Sequence, residues 1–309
     1  MPDSRIVQRA EVLAGRQAGL LSYAQVLQEG LTRGDLRQLL VTGRWQRQTR
    51  GVYRTPVVPL DDRYDMARHQ MAWTGLLAVP GGVATGMAAV ALHRIQGLPQ
   101  RIPAEVCLPG GTSQRGPKGI RVRRYRSGMS VLEIGGFPVA DVTVAIAQAL
   151  RDLDREHGVA VLDSALHLGR LHAGTLREVN DLLVGCPGVR KARSYLVLAD
   201  GRADSPLETW ARLVFTDAGL PPSMLQKEFL DDRGRRIAKG DLAWRRSDGS
   251  WVSVEMDGQQ VHSAPDAVFR DRHRQNDLML DRALTLLRFT GRDLRDGSAV
   301  AMLRRALGA

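Results

Sequence analysis

Residues 239–274 read KGDLAWRRSDGSWVSVEMDGQQVHSAPDAVFRDRHR. Two apolar-rich runs, 237–244 and 250–256, flank a Ser-Asp-Gly turn, and that spacing predicts a β-hairpin. Pairing brings Asp241 opposite Glu255 and Asp257, with His262, Arg270, Arg272 and Arg274 just beyond. Carboxylates gathered at strand ends beside cationic side chains are what a divalent metal needs to activate water against a phosphodiester. The stretch points to nucleic acid as the molecule acted upon.

Outward from the hairpin, a composition shift at 200–206, DGRADSP, marks a boundary. Ser205-Pro206-Leu207-Glu208 opens a helix to about residue 219, and a strand is predicted at 224–230. Beyond His262, a helix over 265–282, a strand over 284–289 and a closing helix from Gly291 complete the order αβββαβα. Asp241 lies among Leu242, Ala243 and Trp244, where an acid is costly to bury without a partner. Each polar residue also has a structural reading. Glu208 can complete a capping box with Ser205, Asp257-Gly258 can be a turn, and Arg270, Arg272 and Arg274 can pair with Asp266, Asp271 and Asp277 on a solvated helix.

This order, with SPLE at 205–208, DLAW at 241–244, VEMDGQQVH at 254–262, FRDRHRQNDL at 269–278 and LLRFTGRDL at 286–294, resembles the PD-(D/E)XK nuclease superfamily. Within it, the motifs are similar to a very-short-patch-repair-like branch, over about residues 203–295. The resemblance implies a restriction-endonuclease-like core in which Asp241 and Glu255 ligate Mg²⁺ or Mn²⁺. It implies that Glu208 supports the metal or its water and that His262 sits near the phosphate or leaving group. Arg270, Arg274 and Arg288 would shape or neutralise the site. Asp257 stands where the superfamily keeps a Lys, so the water-orienting cation must come from elsewhere, and Lys239 and His262 are the candidates. The competing expectation is a degenerate domain that binds DNA or a protein without cutting.

At the other end, 5–14 is amphipathic, Ser22 opens a short helix with Gln25 at capping-box spacing, and Gly30 closes it. Thr32 opens a third helix with Asp35 three residues on. Its Leu36, Leu39 and Leu40 face inward, while Arg33, Arg37 and Gln38 point elsewhere. Two short helices around a tight turn make a helix-turn-helix with the second as reader. GRWQRQTRGVYR at 43–54 reads as a β-wing whose turn carries Arg47 and Arg50, with four Arg and no acid. The alternative is a helical packing module with solvated arginines. The segment from Gly19 to Arg54 resembles the winged-helix domain of AbiEi-type antitoxins, and the resemblance covers roughly residues 5–56. It implies binding to DNA, often at an operator of the protein's own genes.

Between these ends, helices are predicted near 61–79, 84–95, 140–154, 156–168, 173–184 and 188–199, with strands at 105–108, 120–125 and 131–134. Residues 115–126 hold six basic groups and no acid, the pattern of either a charged edge strand or a DNA-tracking surface. The expectation is an α+β multidomain chain. It comprises a winged helix-turn-helix at 1–60, an α+β AbiEi-like connector at 61–202 and a nuclease-like domain at 203–309. The net charge of +11 divides as +5, +5 and +1 across these segments, so the phosphate-attracting field lies in the first two. With 309 residues there is length for several cores. Two isolated Cys fit no metal spacing or disulfide framework, and the absence of a long apolar run or signal-like N-terminus predicts a cytoplasmic protein without membrane spans. DNA is the expected partner, and the composition leaves room for a protein partner or homodimer.

Overall fold

The computed structural model describes residues 2–56, 63–108, 116–124, 129–230, 234–258 and 284–308. By density of contacts the chain divides into two compact units. One comprises residues up to 161 together with 168–198, the other 162–167 together with 199 onward.

The first unit opens with α1 (Ser4–Gly15), β1 (Leu20–Ser22), α2 (Tyr23–Gln28) and α3 (Arg33–Val41). Both predicted capping boxes form: Ser22 and Gln25 exchange hydrogen bonds at the start of α2, as do Thr32 and Asp35 at the start of α3. Each box satisfies backbone N–H groups that have no partner within the helix. Gly30, with φ of +98°, lets the chain leave α2 and enter α3 within a few residues. Strands β2 (Gln46–Thr49) and β3 (Val52–Arg54) form the wing, and β1 joins them in the order β1-β3-β2. The third strand was not legible, because Leu20–Ser22 is too short to show alternation and is recruited by pairing with β3. Val7, Ala10, Val26, Leu36, Leu39 and Trp45 build the core beneath.

The same unit continues through α4 (Arg63–Ala78), β4 (Val83–Ala84), α5 (Gly86–Leu92), β5 (Ala104–Cys107), β6 (Ile120–Arg123), β7 (Val131–Ile134), β8 (Phe137–Ala140), α6 (Val142–Leu150), α7 (Arg155–His167), α8 (Ala173–Leu182) and α9 (Val189–Leu198). Its five strands run in the order β6-β5-β4-β8-β7. Ala84, expected to begin a helix, is instead in β4. It pairs with Val106 of β5 and Val139 of β8, and that long-range pairing overrides the helical propensity of an Ala-rich run. Strand β8 was missed for a related reason, since Pro138 argues against a strand on local grounds.

The second unit contains α10 (Pro206–Asp217), β9 (Met224–Leu230), β10 (Arg236–Arg245), β11 (Trp251–Asp257), β12 (Leu284–Thr290), α11 (Gly291–Asp296) and α12 (Ser298–Leu307). The sheet runs β12-β11-β10-β9, antiparallel except for β12, which lies parallel to β11. Leu242, Trp244, Val252, Val254 and Phe289 share a core with Ala211 and Phe215 of α10 and Leu303 of α12. Their period of two fixes the register, so the odd-numbered Asp241, Glu255 and Asp257 are excluded from that face. The helix expected over 265–282 lies outside the described residues. The architecture is thus mixed α and β with more than one domain, and its N-terminal part is consistent with a winged helix.

Candidate nucleic-acid interface and carboxylate cluster

The exposed side of α3 carries Arg33 and Arg37, with Gln38 half-buried, and the wing carries exposed Arg47 and Arg50. Among the described residues, Arg37, Arg47 and Arg50 have no hydrogen bond or ion pair, so their charge is available to a polyanion. Arg33, Arg37 and Arg47 line one groove with Tyr23, Val41 and Tyr53. The other two wing arginines are absorbed by the fold. Arg44 makes a bidentate pair with Glu11, at 3.0 Å from both Nε and Nη2, and Trp45 Nε1 donates to the same carboxylate at 3.0 Å. Arg54 donates to Gln46 across the wing. Arg33 donates through Nε to Tyr23 Oη at 2.8 Å. The nearby Asp35 is occupied by Thr32, whose hydrogen bonds hold its carboxyl below the ordinary range.

In the second unit Asp241 projects from β10 beside Gly240, next along the antiparallel ladder from the Leu242–Val254 pair. Its Oδ2 accepts the Met256 N–H at 2.7 Å. Burial raises the Asp241 carboxyl pKa, with Asp204 and Asp257 adding repulsion against the Met256 hydrogen bond and the attraction of Lys239. Glu208 is 8% exposed and its carboxyl is also raised, by burial first and then by the charge of Asp241. Both Glu208 oxygens are engaged. Oε1 accepts from Ser205 Oγ at 2.8 Å, and Oε2 accepts from Asp204 N at 2.8 Å and Gln226 Nε2 at 2.6 Å. Glu208 therefore caps the entry to α10 and also belongs to the acidic group around Asp241. Glu255 is salt-bridged to Arg288 at 2.8 Å, its register partner on parallel β12. Lys239 Nζ lies 2.8 Å from Asp204 Oδ2. Its cation is thus held in the acidic group from the neighbouring strand, on Asp204 rather than on a nuclease-type carboxylate.

Asp241, Glu255 and Asp257 are all hard oxygen donors, the kind that suits Mg²⁺ or Mn²⁺. Gln226 Oε1 adds a buried oxygen without a hydrogen-bond partner among the described residues. The donor chemistry fits such an ion. Among the described residues, however, no group of three or more His, Cys, Asp or Glu is arranged as a ready metal cage. His262, Arg270, Arg272 and Arg274 lie outside the described residues.

Two participants were not singled out from sequence. Asp204 precedes the helix cap and gave only a boundary signal. Gln226 adopts φ of +50°, which no strand pattern announces. The basic run at 115–126 also reads differently in three dimensions. Arg123 is part-buried against Glu105, with Nε 2.6 Å from Oε2, and pairs with Asp152; Arg121 lies 3.7 Å from Glu105 and 3.4 Å from Asp152. These two side chains satisfy acids from distant sequence, which the local charge count could not show. Arg123 is thus structural, whereas Arg121 stays exposed on β6, an edge strand of its sheet.

No helix among the described residues is long and apolar enough to cross a membrane. Residues 8–56 match the family described as a transcriptional regulator, AbiEi antitoxin. The chain is also 29% identical over 167 residues to uncharacterized proteins from two strains of Mycobacterium tuberculosis, CDC 1551 / Oshkosh and H37Rv. The aligned region covers 54% of this chain and 60% of each relative, so the chain spans about three-fifths of the relatives it matches. At its N-terminus, then, the chain carries a winged helix similar to the transcriptional-regulator domain of AbiEi antitoxins.

Proposed function

We propose that the chain is a DNA-binding protein whose winged helix seats duplex DNA, and whose C-terminal unit holds a divalent-cation site for phosphodiester hydrolysis of the PD-(D/E)XK type. The observation that carries the first part is the sorting of arginines on α3 and the wing. Arg44 is neutralised by Glu11 and Arg54 is tied to Gln46 across the wing, whereas Arg37, Arg47 and Arg50 are left to phosphate and Arg33 is held on the recognition helix without being neutralised. Four such cations on a helix and a wing match the way helix-turn-helix proteins are positioned on a duplex. The three-part division into winged helix, connector and nuclease-like domain belongs to this reading.

Support for the second part comes from an acidic set on the two central strands of a mixed sheet. Asp241 and Glu255 would hold Mg²⁺ or Mn²⁺, with Asp257 as a further donor. A bound ion of this kind acidifies water and offsets charge on the phosphate. Glu208 fixes the helix entry beside Asp241, and Lys239, paired with Asp204, would be the cation that stands in for the superfamily's Lys at 257. A regulator that binds DNA without cutting is the second reading. It is favoured by the Glu255–Arg288 ion pair, which engages one proposed ligand, and by the acid at 257.

The test incubates the purified chain with supercoiled plasmid, single-stranded DNA and RNA plus Mg²⁺ or Mn²⁺, beside an Asp241→Ala/Glu255→Ala variant. Cleavage lost in the variant supports hydrolysis. Retained duplex binding without cleavage by either protein selects the regulator, and cleavage shared by both indicates a contaminant and removes the hydrolytic reading. For the winged helix, Arg37→Ala/Arg47→Ala/Arg50→Ala weakens duplex binding on all sequences and lowers the salt slope by roughly one per lost phosphate contact. An unchanged slope overturns that interface.

A further inference from the structure

We infer that Tyr23 is a positioning residue that presents Arg33 end-on to the edge of a guanine, making Arg33 a specificity-determining residue of the winged helix. The inference rests on the reading that this domain binds duplex DNA.

Three facts of the site lead there. Arg33 stands in the first turn of α3, whose start is held by the Thr32–Asp35 box, so its backbone position is set. Residues near the N-terminus of a recognition helix are those that reach base edges. Its side chain is then fixed by one hydrogen bond, Nε to Tyr23 Oη at 2.8 Å.

The choice of acceptor matters. Glu11 fixes Arg44 and cancels its charge, whereas a phenol fixes Arg33 and leaves the charge whole. Arg37, Arg47 and Arg50 have the converse property: their charge is whole, but nothing among the described residues fixes them. Arg54 on β3 is likewise held by a neutral group, Gln46, but among the described arginines of the recognition helix only Arg33 is both oriented and unneutralised.

The hydrogen bond also selects the face of the guanidinium that remains. With Nε occupied, the side-on pair of donors is closed, and the two terminal nitrogens form the available fork. Two parallel N–H donors match the O6 and N7 acceptors of guanine in the major groove, the commonest specific arginine contact. A lysine ammonium carries the same charge but lacks the fork.

The experiment enriches binding sites for the full chain from a random-sequence duplex library, then compares wild type, Tyr23→Phe and Arg33→Lys. Affinity and salt slope on unselected duplex are measured for all three as the baseline against which the guanine preference is read; Arg33→Lys keeps the cation and so changes the slope by less than one phosphate contact. At one base pair of the enriched site, Arg33→Lys loses the preference for guanine, a change of roughly five- to a hundredfold for one bidentate contact. Tyr23→Phe keeps the ring and lowers the same preference about two- to tenfold, the range for one lost organising hydrogen bond. Retention of the wild-type preference by either variant overturns the inference. So does an equal loss of affinity on every sequence by Arg33→Lys or Tyr23→Phe, which would make Arg33 a phosphate contact. If the wild type binds duplex but enriches no guanine-containing site, the inference falls and the DNA-binding reading stands. If the wild type binds no duplex, the underlying reading falls with it.

Discussion

Replacing Glu11 by Ala removes one carboxylate that serves three donors, and the cost can be built up from the burial of each. Trp45 is fully buried, so its indole N–H loses its acceptor with no water to replace it. Such a stranded donor costs about 1–3 kcal/mol. The Arg44 side chain is 49% exposed and regains water, so the lost ion pair adds only about 0.2–1 kcal/mol. The expected total is about 1–4 kcal/mol, concentrated on the joint between α1 and the wing. Glu11→Gln leaves an amide oxygen in reach of Trp45 and should cost less than about 1 kcal/mol, because the indole hydrogen bond survives. The assay is hydrogen exchange of the amides of residues 46–54 in the full chain, read as a local opening free energy. A cycle with Trp45→Phe supplies the control. Removing the donor as well as the acceptor makes the double variant cheaper than the sum of the singles, by a coupling of about 0.5–3 kcal/mol. If Glu11→Ala shifts protection by less than about 0.5 kcal/mol, or if the two substitutions simply add, the accounting is wrong.

Two further expectations concern the same unit. His69 and His93 each donate from Nε2 to a backbone carbonyl, of Ala91 and Ala140 at 2.8 Å, and burial lowers both imidazole pKa values. The unfolded chain therefore binds these protons more readily than the folded one, so stability is full above the unfolded value of about 6.5 and declines as pH falls below it. Urea midpoints measured from pH 7.5 down to 5 should decrease, and less steeply in His69→Asn/His93→Asn; a flat or rising wild-type curve contradicts the sign. Glu105 is 0% exposed and accepts from Arg123 Nε at 2.6 Å and Met87 N at 2.9 Å, so Glu105→Ala leaves a buried backbone donor without its acceptor and a part-buried guanidinium with Asp152 only, at a cost of about 1–3 kcal/mol. Thermal unfolding of Glu105→Ala close to wild type would mean that Asp152 alone compensates Arg123.

Local signals in the sequence carried the parts of the structure that local chemistry determines. The Ser22–Gln25 and Thr32–Asp35 boxes, the hairpin around Asp248 and Gly249, and the alternation that turns Asp241 and Glu255 away from the core were legible because each is set by residues a few positions apart. What was not legible depends on partners far along the chain. Ala84 is a strand residue only because β5 and β8 flank it, and Arg123 is structural only because Glu105 and Asp152 reach it. Counting arginines in the wing overstated the surface charge for the same reason, since Glu11 arrives from α1 to take Arg44. In the acidic group, Asp204 reads as boundary sequence until folding sets Lys239 on it.

Parallel pairing of β12 with β11 has a consequence for the order of assembly. Strands β9, β10 and β11 follow one another and can zip through short connections, whereas Trp251 meets Leu284 only after the whole of 258–283 has been looped back. Closing that longer loop costs more chain entropy, and non-local pairings form later on average. Arg288 belongs to that later-pairing strand, so among the described residues the guanidinium that meets Glu255 is expected to join after the carboxylates of β10 and β11. A nascent sheet awaiting β12 would gather its carboxylates before this partner arrives, leaving a window in which a cation from solution could compete for Glu255.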